Sequence, residues 1–224
     1  MLVTIFSYER EQMLINLVME LKKSLEGDNP MDFQIIDDGS EFTKVAPTSS
    51  GIIRTHHEGK KGFWKKWVIA RQLALGTDHD YFLFIPDDIS DLQLDKIKAI
   101  TQQGWDDHLF ALTITNGGSQ YRCGKALTGQ EPIEISGATF EECCFVDGCF
   151  ITNRKTLEAC DIHEVPASWF DRENKSSGVG YQMTMTMRKL GAVMMRPNKS
   201  LAYHGDHESR MNREERINNP LITK

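Results

Sequence analysis

The chain of 224 residues has a net charge of −6, with 40% hydrophobic and 26% charged residues, the balance of an ordinary folded domain. That length suffices for one large domain or two small ones. The acidic balance excludes a surface that attracts nucleic acid everywhere, so contact with a polyanion would need a local basic patch.

The first half predicts alternating strands and helices. Residues 2–6 are apolar and β-branched and read as a buried strand, too short for a secretion signal and followed by charge. Ser7 is placed to cap the helix that follows, on which Met13, Leu14, Leu17, Val18, Leu21 and Leu25 recur at helical spacing. Gly27, Asp28, Asn29 and Pro30 stop it. Residues 33–36 form a second strand that ends in Asp37-Asp38-Gly39-Ser40, and 51–54 a short third. Trp64, Trp67, Val68, Arg71 and Leu75 then share a helix, and 81–85 is a fourth strand. Such alternation argues for a parallel sheet with crossover helices.

The second half is less regular. Residues 108–114 read as a strand, and 116–142, rich in Gly, Ser, Thr and Glu, as loops or hairpins. A strand over 145–152 is interrupted by Asp147-Gly148. A short helix begins at Thr156, 171–178 form a loop, and 181–190 form a helix closed by Gly191. A last strand covers 192–195, and a polar tail starts at Tyr203. No repeat or linker-like segment interrupts the chain, so one α/β domain over 1–224 is expected. No apolar run approaches a membrane span. The five cysteines, Cys123, Cys143, Cys144, Cys149 and Cys160, show neither zinc-finger spacing nor secreted-scaffold density. They read as reduced thiols of a cytoplasmic protein.

Asp87-Asp88, just past Pro86, is the pair with the most chemical content. The fourth strand delivers two adjacent carboxylates to its C-terminal tip, where open α/β sheets place ligands. Adjacent carboxylates repel unless a cation or proton lies between them, and Mg²⁺ or Mn²⁺ shared with phosphates is a common occupant. A solvated turn ending the strand is the alternative.

The segments Val3-Thr4-Ile5-Phe6-Ser7-Tyr8-Glu9-Arg10, Ile36-Asp37-Asp38-Gly39-Ser40 and Tyr81-Phe82-Leu83-Phe84-Ile85-Pro86-Asp87-Asp88 together resemble the family 2 glycosyltransferases of the GT-A fold. Val146-Asp147-Gly148-Cys149-Phe150-Ile151 resembles the strand beside the family's acceptor site. Residues 180–191, with the strand and Tyr203-His204 after them, resemble the end of its catalytic domain. The resemblance implies a Rossmann-like, mostly parallel mixed sheet flanked by helices. Residues 1–105 would bind a nucleotide-sugar, and 106–224 would hold the acceptor side and the tail. It also implies metal-assisted transfer, with inversion, from a donor that is expected to be a UDP-sugar.

On that reading Asp37 and Asp38 hold the nucleoside, and Gly39 lets the backbone approach it. Ser7, Tyr8 and Arg10 lie on the donor. Asp87 and Asp88 hold Mn²⁺ or Mg²⁺, and His204 completes the metal shell or meets the phosphates. The sequence departs from the family twice. The family's Asp-x-Asp pattern would begin at Ile85, and its late Glu-Asp pair falls on Gly178-Val179-Gly180. The general base is therefore sought at Asp171, with Asp147 second.

Residues 59–67 hold four lysines and three aromatics. Lys60 and Lys61 precede a helix and suit a donor diphosphate. The same segment also suits a polyanionic acceptor, or a helix with Trp64 and Trp67 in the core. Small bacteriophage glycosyltransferases that modify hydroxymethylated pyrimidines in DNA are an analogy for the acceptor, with the protein then in the host cytoplasm. A glycan or small molecule is the other option. A nucleotidyltransferase and a non-catalytic sugar-nucleotide or nucleic-acid binding module are alternatives of other classes.

Overall fold

The computed structural model describes residues 1–7, 10–23, 31–37, 52–56, 63–116, 129–143, 146, 149–161 and 179–204. The strands are β1 (Leu2–Ser7), β2 (Asp32–Asp37), β3 (Ile52–His56), β4 (Tyr81–Pro86), β5 (Ile89–Ser90), β6 (Phe110–Thr113), β7 (Ile133–Ile135), β8 (Ala138–Glu142), β9 (Phe150–Asn153), β10 (Val193–Pro197) and β11 (Tyr203–His204). The α-helices are α1 (Glu11–Lys23), α2 (Phe63–Leu75), α3 (Leu94–Ile100), α4 (Arg154–Ala159) and α5 (Val179–Lys189). Nine strands form one mixed sheet in the order β3-β2-β1-β4-β9-β6-β10-β8-β7, and β11 pairs with β5 in a separate ladder.

The pattern of β1 explains the layering. All six of its residues are buried, as a strand covered on both faces requires. Val3 and Ile5 face a core that contains Leu14, Leu17, Val18 and Leu21 of α1 and Leu94, Ile97 and Ile100 of α3. Leu2 and Phe6 face the opposite core, with Trp67, Ala70 and Ala74 of α2, Leu157 of α4, and Met183 and Met187 of α5. Helices therefore cover both faces, and each large side chain sealed in these cores contributes roughly 1.5–3 kcal/mol of burial. Trp67 is the largest, packed 4.7 Å from Phe84 and 5.9 Å from Phe150 between ring centroids.

The central strands set where ligands can sit. β1 pairs in parallel with both β2 and β4, and β2 pairs in parallel with β3. The C-terminal ends of all four share one edge. β9 is antiparallel to β4 and β6, and β10 is parallel to β6 and antiparallel to β8. At its far end α5 closes as expected on Gly191, whose φ is +70°. Gly191 N donates to Arg188 O and Ala192 N to Met187 O, the paired bonds of a Schellman close.

Several sequence expectations change. Ser7 does not cap a helix: it is the last residue of β1, and Arg10 is the residue whose carbonyl opens α1 by accepting from Leu14 N at 3.0 Å. Tyr203-His204 is not the start of a free tail but the strand β11. The Gly- and Glu-rich stretch, expected as loops or hairpins, does end in a hairpin, β7–β8. α3, with apolar residues at 94, 97 and 100, lies where no helix was expected. Ile85 is sealed in the core, so the first position of an Asp-x-Asp pattern is structural here. Among the described residues no helix is long and apolar enough to cross a membrane.

Candidate active site

The parallel strands deliver polar residues to their shared edge. Ser7 ends β1 directly opposite Asp37, which ends β2. Asp87 follows β4, and its amide donates to Phe6 O at 3.0 Å, carrying the β1–β4 pairing one step past the strand. The next residue, Asp88, leads into β5. β5 pairs antiparallel with β11, with Ile89 opposite His204. This short ladder holds His204 over Asp88.

Arg10 closes the group. A single guanidinium nitrogen, Nη1, donates to Asp87 Oδ1 at 3.1 Å and to Asp88 Oδ2 at 2.5 Å. His204 Nε2 lies 3.1 Å from Asp88 Oδ1, so each oxygen of Asp88 has its own nitrogen partner. The carboxylates are well shielded, with side chains 4% and 9% exposed, while His204 is 55% exposed. Burial pushes the Asp88 carboxyl up, but His204 and then Arg10 outweigh it and hold the group below the usual carboxylate range. Asp88 is thus held as an anion by partners within the chain itself.

Asp37 is fully buried at the tip of β2. The Ser7 hydroxyl beside it is also buried and has no hydrogen-bond partner among the described residues. An orphaned hydroxyl costs free energy in the free protein and suits a group that a ligand would satisfy. Arg10 is aligned with the first turn of α1, where a helix's own partial positive charge already favours anions. The edge therefore offers cationic and hydrogen-bonding groups to a diphosphate and acceptors to a heterocyclic base.

The donor chemistry for a hard divalent ion is present in Asp87, Asp88 and His204. Arg10, however, already bridges the two carboxylates. No group of three His, Cys, Asp or Glu residues stands in a ligating array among the described residues. As arranged, the residues suit such an ion in kind but not in position.

No family model matches the chain, and no curated protein matches it. Solved structures do. S. aureus TarS 1-349 in complex with UDP-GlcNAc superposes with a TM-score of 0.60 at 15% identity, covering 94% of this chain and 59% of that one. The same TarS fragment in complex with UDP gives 0.56 at 18% identity, over 90% and 59% of the two chains. A mycobacterial protein gives 0.55 at 11% identity, over 92% and 67%. The chain has the GT-A fold. It spans 59% of the length of TarS 1-349, and at these identities the likeness is one of fold.

Within this GT-A sheet Ser7, Arg10, Asp37, Asp87, Asp88 and His204 come to one edge. Tyr8, Asp38, Gly39, Lys60, Lys61, Asp147 and Asp171 lie outside the described residues. Val146, before Asp147 in the chain, is buried, and its peptide N–H donates to Thr184 Oγ1 of α5 at 3.0 Å. Trp67 and Lys66 of the basic segment are buried and leave its solvent-facing set. The bridge from Arg10 to both carboxylates had no signal in the sequence beyond the residue's place in the first motif. The β5–β11 ladder had none at all, because two-residue strands carry no periodicity.

Proposed function

We propose that the protein is a glycosyltransferase that lays a UDP-sugar across the tips of β1, β2 and β4 and passes the sugar to an acceptor hydroxyl. The observation that carries this reading is the Arg10–Asp87–Asp88–His204 cluster at the ligand edge of a GT-A sheet. The TarS fragment with that sheet was crystallised with UDP and with UDP-GlcNAc.

Asp37, with Asp38 and Gly39 after it, would receive the base, and the Ser7 hydroxyl would gain a partner there. Arg10 would meet the diphosphate as a charge-assisted donor, with Lys60 and Lys61 beside it. Asp87 and Asp88, with His204, would hold Mn²⁺ or Mg²⁺, which when bound supplies positive charge for the departing nucleoside diphosphate. Asp171, or Asp147 next to Val146, would take the proton from the acceptor hydroxyl as it attacks with inversion. For the acceptor we propose a hydroxymethylated pyrimidine in DNA, supported by Lys60, Lys61 and Lys65 of the basic segment, with a glycan or small molecule as the competing class.

Calorimetry with UDP, UDP-GlcNAc and GDP, with and without Mn²⁺, tests the donor. Tight uridine-selective binding is expected, and its absence under every condition would sink the reading. Product analysis then separates the chemistry: a glycosyltransferase releases UDP, a nucleotidyltransferase releases pyrophosphate, and a binding module releases neither. Transfer to DNA should weaken steeply as salt rises, because each displaced counterion favours dissociation.

A further inference from the structure

We propose that Glu20 is a positioning residue for the donor site. Its carboxylate pins the strained turn after Asp88 to α1, and so keeps the β5–β11 ladder where His204 meets Asp88. The inference rests on the donor-site reading given above. It adds a residue whose hydrogen bond goes to the backbone of the turn and not to the clustered side chains.

The turn needs a pin. Asp91 has a φ of +52°, in the left-handed region where a residue other than glycine is strained. Such a conformation persists only where its surroundings over-determine it. The strand before it, β5, has two residues and is held in a two-stranded ladder. The helix after it, α3, opens on Gln93, whose side chain makes no cap bond. Leu92 between them is buried, so its N–H must find a partner. Glu20 Oε1 accepts it at 2.6 Å, across 72 residues of sequence.

Two parts of the chain grip this turn. Gln93 N donates to Leu201 O at 2.8 Å and Gln93 Nε2 to Ser200 O at 3.2 Å, just ahead of β11. The other grip is α1, whose first turn begins at Arg10, the residue that bridges Asp87 and Asp88. The same helix therefore holds the segment at both ends, Arg10 at the aspartates and Glu20 at Leu92. The two grips are separated by about 15 Å of helix, and residues 88 to 92 reach at most about 14 Å when extended. The lengths match, so both grips can be made at once by a segment running along α1. Release at Glu20 lets the Asp91 turn relax and takes β5 with it. His204 pairs with Ile89 of β5, so its place over Asp88 moves with that strand.

The test uses the full chain. Glu20→Ala removes the acceptor, and Glu20→Gln keeps an oxygen that can take the Leu92 N–H. Val18→Ala, on the same helix, trims a core side chain that is 7% exposed and lowers stability without touching the turn. Thermal melting checks folding; should Glu20→Ala not fold, Glu20→Asp, one methylene short of the turn, takes its place. Amide exchange over 88–93 and 201–204 should quicken roughly tenfold or more in Glu20→Ala, the scale of one lost charge-assisted hydrogen bond, with β1 unchanged. UDP affinity, read by calorimetry, should fall by about tenfold in Glu20→Ala and stay within about threefold of the wild type in Glu20→Gln and Val18→Ala. Asp91→Gly suits a left-handed φ, so adding it to Glu20→Ala should recover part of the lost affinity. Unchanged exchange over the turn in a folded Glu20→Ala would overturn the pin. Faster exchange with UDP affinity intact, or an equal loss of affinity in Val18→Ala, would make Glu20 a structural residue only. No recovery with Asp91→Gly would remove the strain from the argument. A wild type that never binds UDP would sink the donor reading and the positioning role together, while amide exchange would still judge the pin.

Discussion

The two halves of the sheet end very differently on the ligand edge. On the β3-β2-β1-β4 side every strand points the same way, and the tips of β1, β2 and β4 present Ser7, Asp37 and Asp87-Asp88, with Arg10 above them. On the other side the strand directions are mixed, and the tips of β6 and β10 are stitched to each other. Asn116 N donates to Ser200 Oγ at 2.7 Å, Asn116 Nδ2 to Asn198 O at 2.8 Å, and Leu201 N to Ile114 O at 2.7 Å. One stretch of the edge gathers paired charges, and the other is joined by neutral hydrogen bonds. The second half still reaches the site, because the stitched turn leads through Leu201 and Ala202 into β11, which carries His204 across to Asp88. A parallel array builds the binding surface, and the mixed half supplies a clamp for it.

The largest test of this division is Asp87→Asn, which keeps the side chain's size and removes its charge. Sugar transfer from the UDP-sugar should fall on the order of 10²–10³-fold, the usual cost of losing a group that stabilises developing charge. Steady-state rates with the wild type in parallel would measure it. A loss of only a few-fold would mean that the left-hand edge is scaffold, and the contrast between the halves would fail.

The sequence was most legible where strands are long and buried. The tips at Asp37 and Asp87 could be placed from the sequence because each follows an apolar run with a helix before it to set its direction, whereas Ser7, at the end of the first strand, reads from the sequence as a cap. β7 and β8 were half legible: Ile133, Ile135, Ala138 and Phe140 alternate, but Gly and Glu around them hide the register. β11 was not legible, since pairing of two residues with Ile89–Ser90 depends on the whole fold lying between them. The Arg10 bridge was hidden for the same reason, spanning 77 and 78 residues of sequence. Site chemistry that lives on strand tips can be read from periodicity, whereas chemistry that lives on contacts between distant turns cannot.

A second test uses acid. Asp88 is held below the ordinary carboxylate range in the folded protein, so its ionised form contributes stability that is present above the unfolded value of 3.8 and is lost as pH falls through the depressed folded value. Thermal melts of wild type and Asp88→Asn should therefore differ at neutral pH and converge in acid. The stitched edge has no such carboxylate, and Ser200→Ala should shift stability by about 0.5–1.5 kcal/mol at every pH, the worth of one neutral hydrogen bond. It should leave UDP affinity and transfer rate close to the wild type. A pH-dependent effect at Ser200, or a large loss of UDP affinity there, would erase the distinction between the edges.

The smallest effect is expected at Ser7, and it is the most discriminating. The Ser7 hydroxyl is buried at the tip of β1 with no hydrogen-bond partner among the described residues. Ser7→Ala removes an unsatisfied polar group and almost no volume, so the free protein should melt at the same temperature or slightly higher, by less than about 1 kcal/mol. If the hydroxyl is kept for the donor, UDP should bind the variant less tightly, by roughly a few-fold to tenfold, because a bond formed only in the complex is gone. Stability and affinity would then move in opposite directions at one atom, which no purely structural serine can do. Ser200→Ala is the control on the other edge, where the hydroxyl already has its partner and stability alone should fall. Should Ser7→Ala lose stability with UDP affinity intact, Ser7 would belong with the stitched residues, and the ligand edge would begin at Asp37.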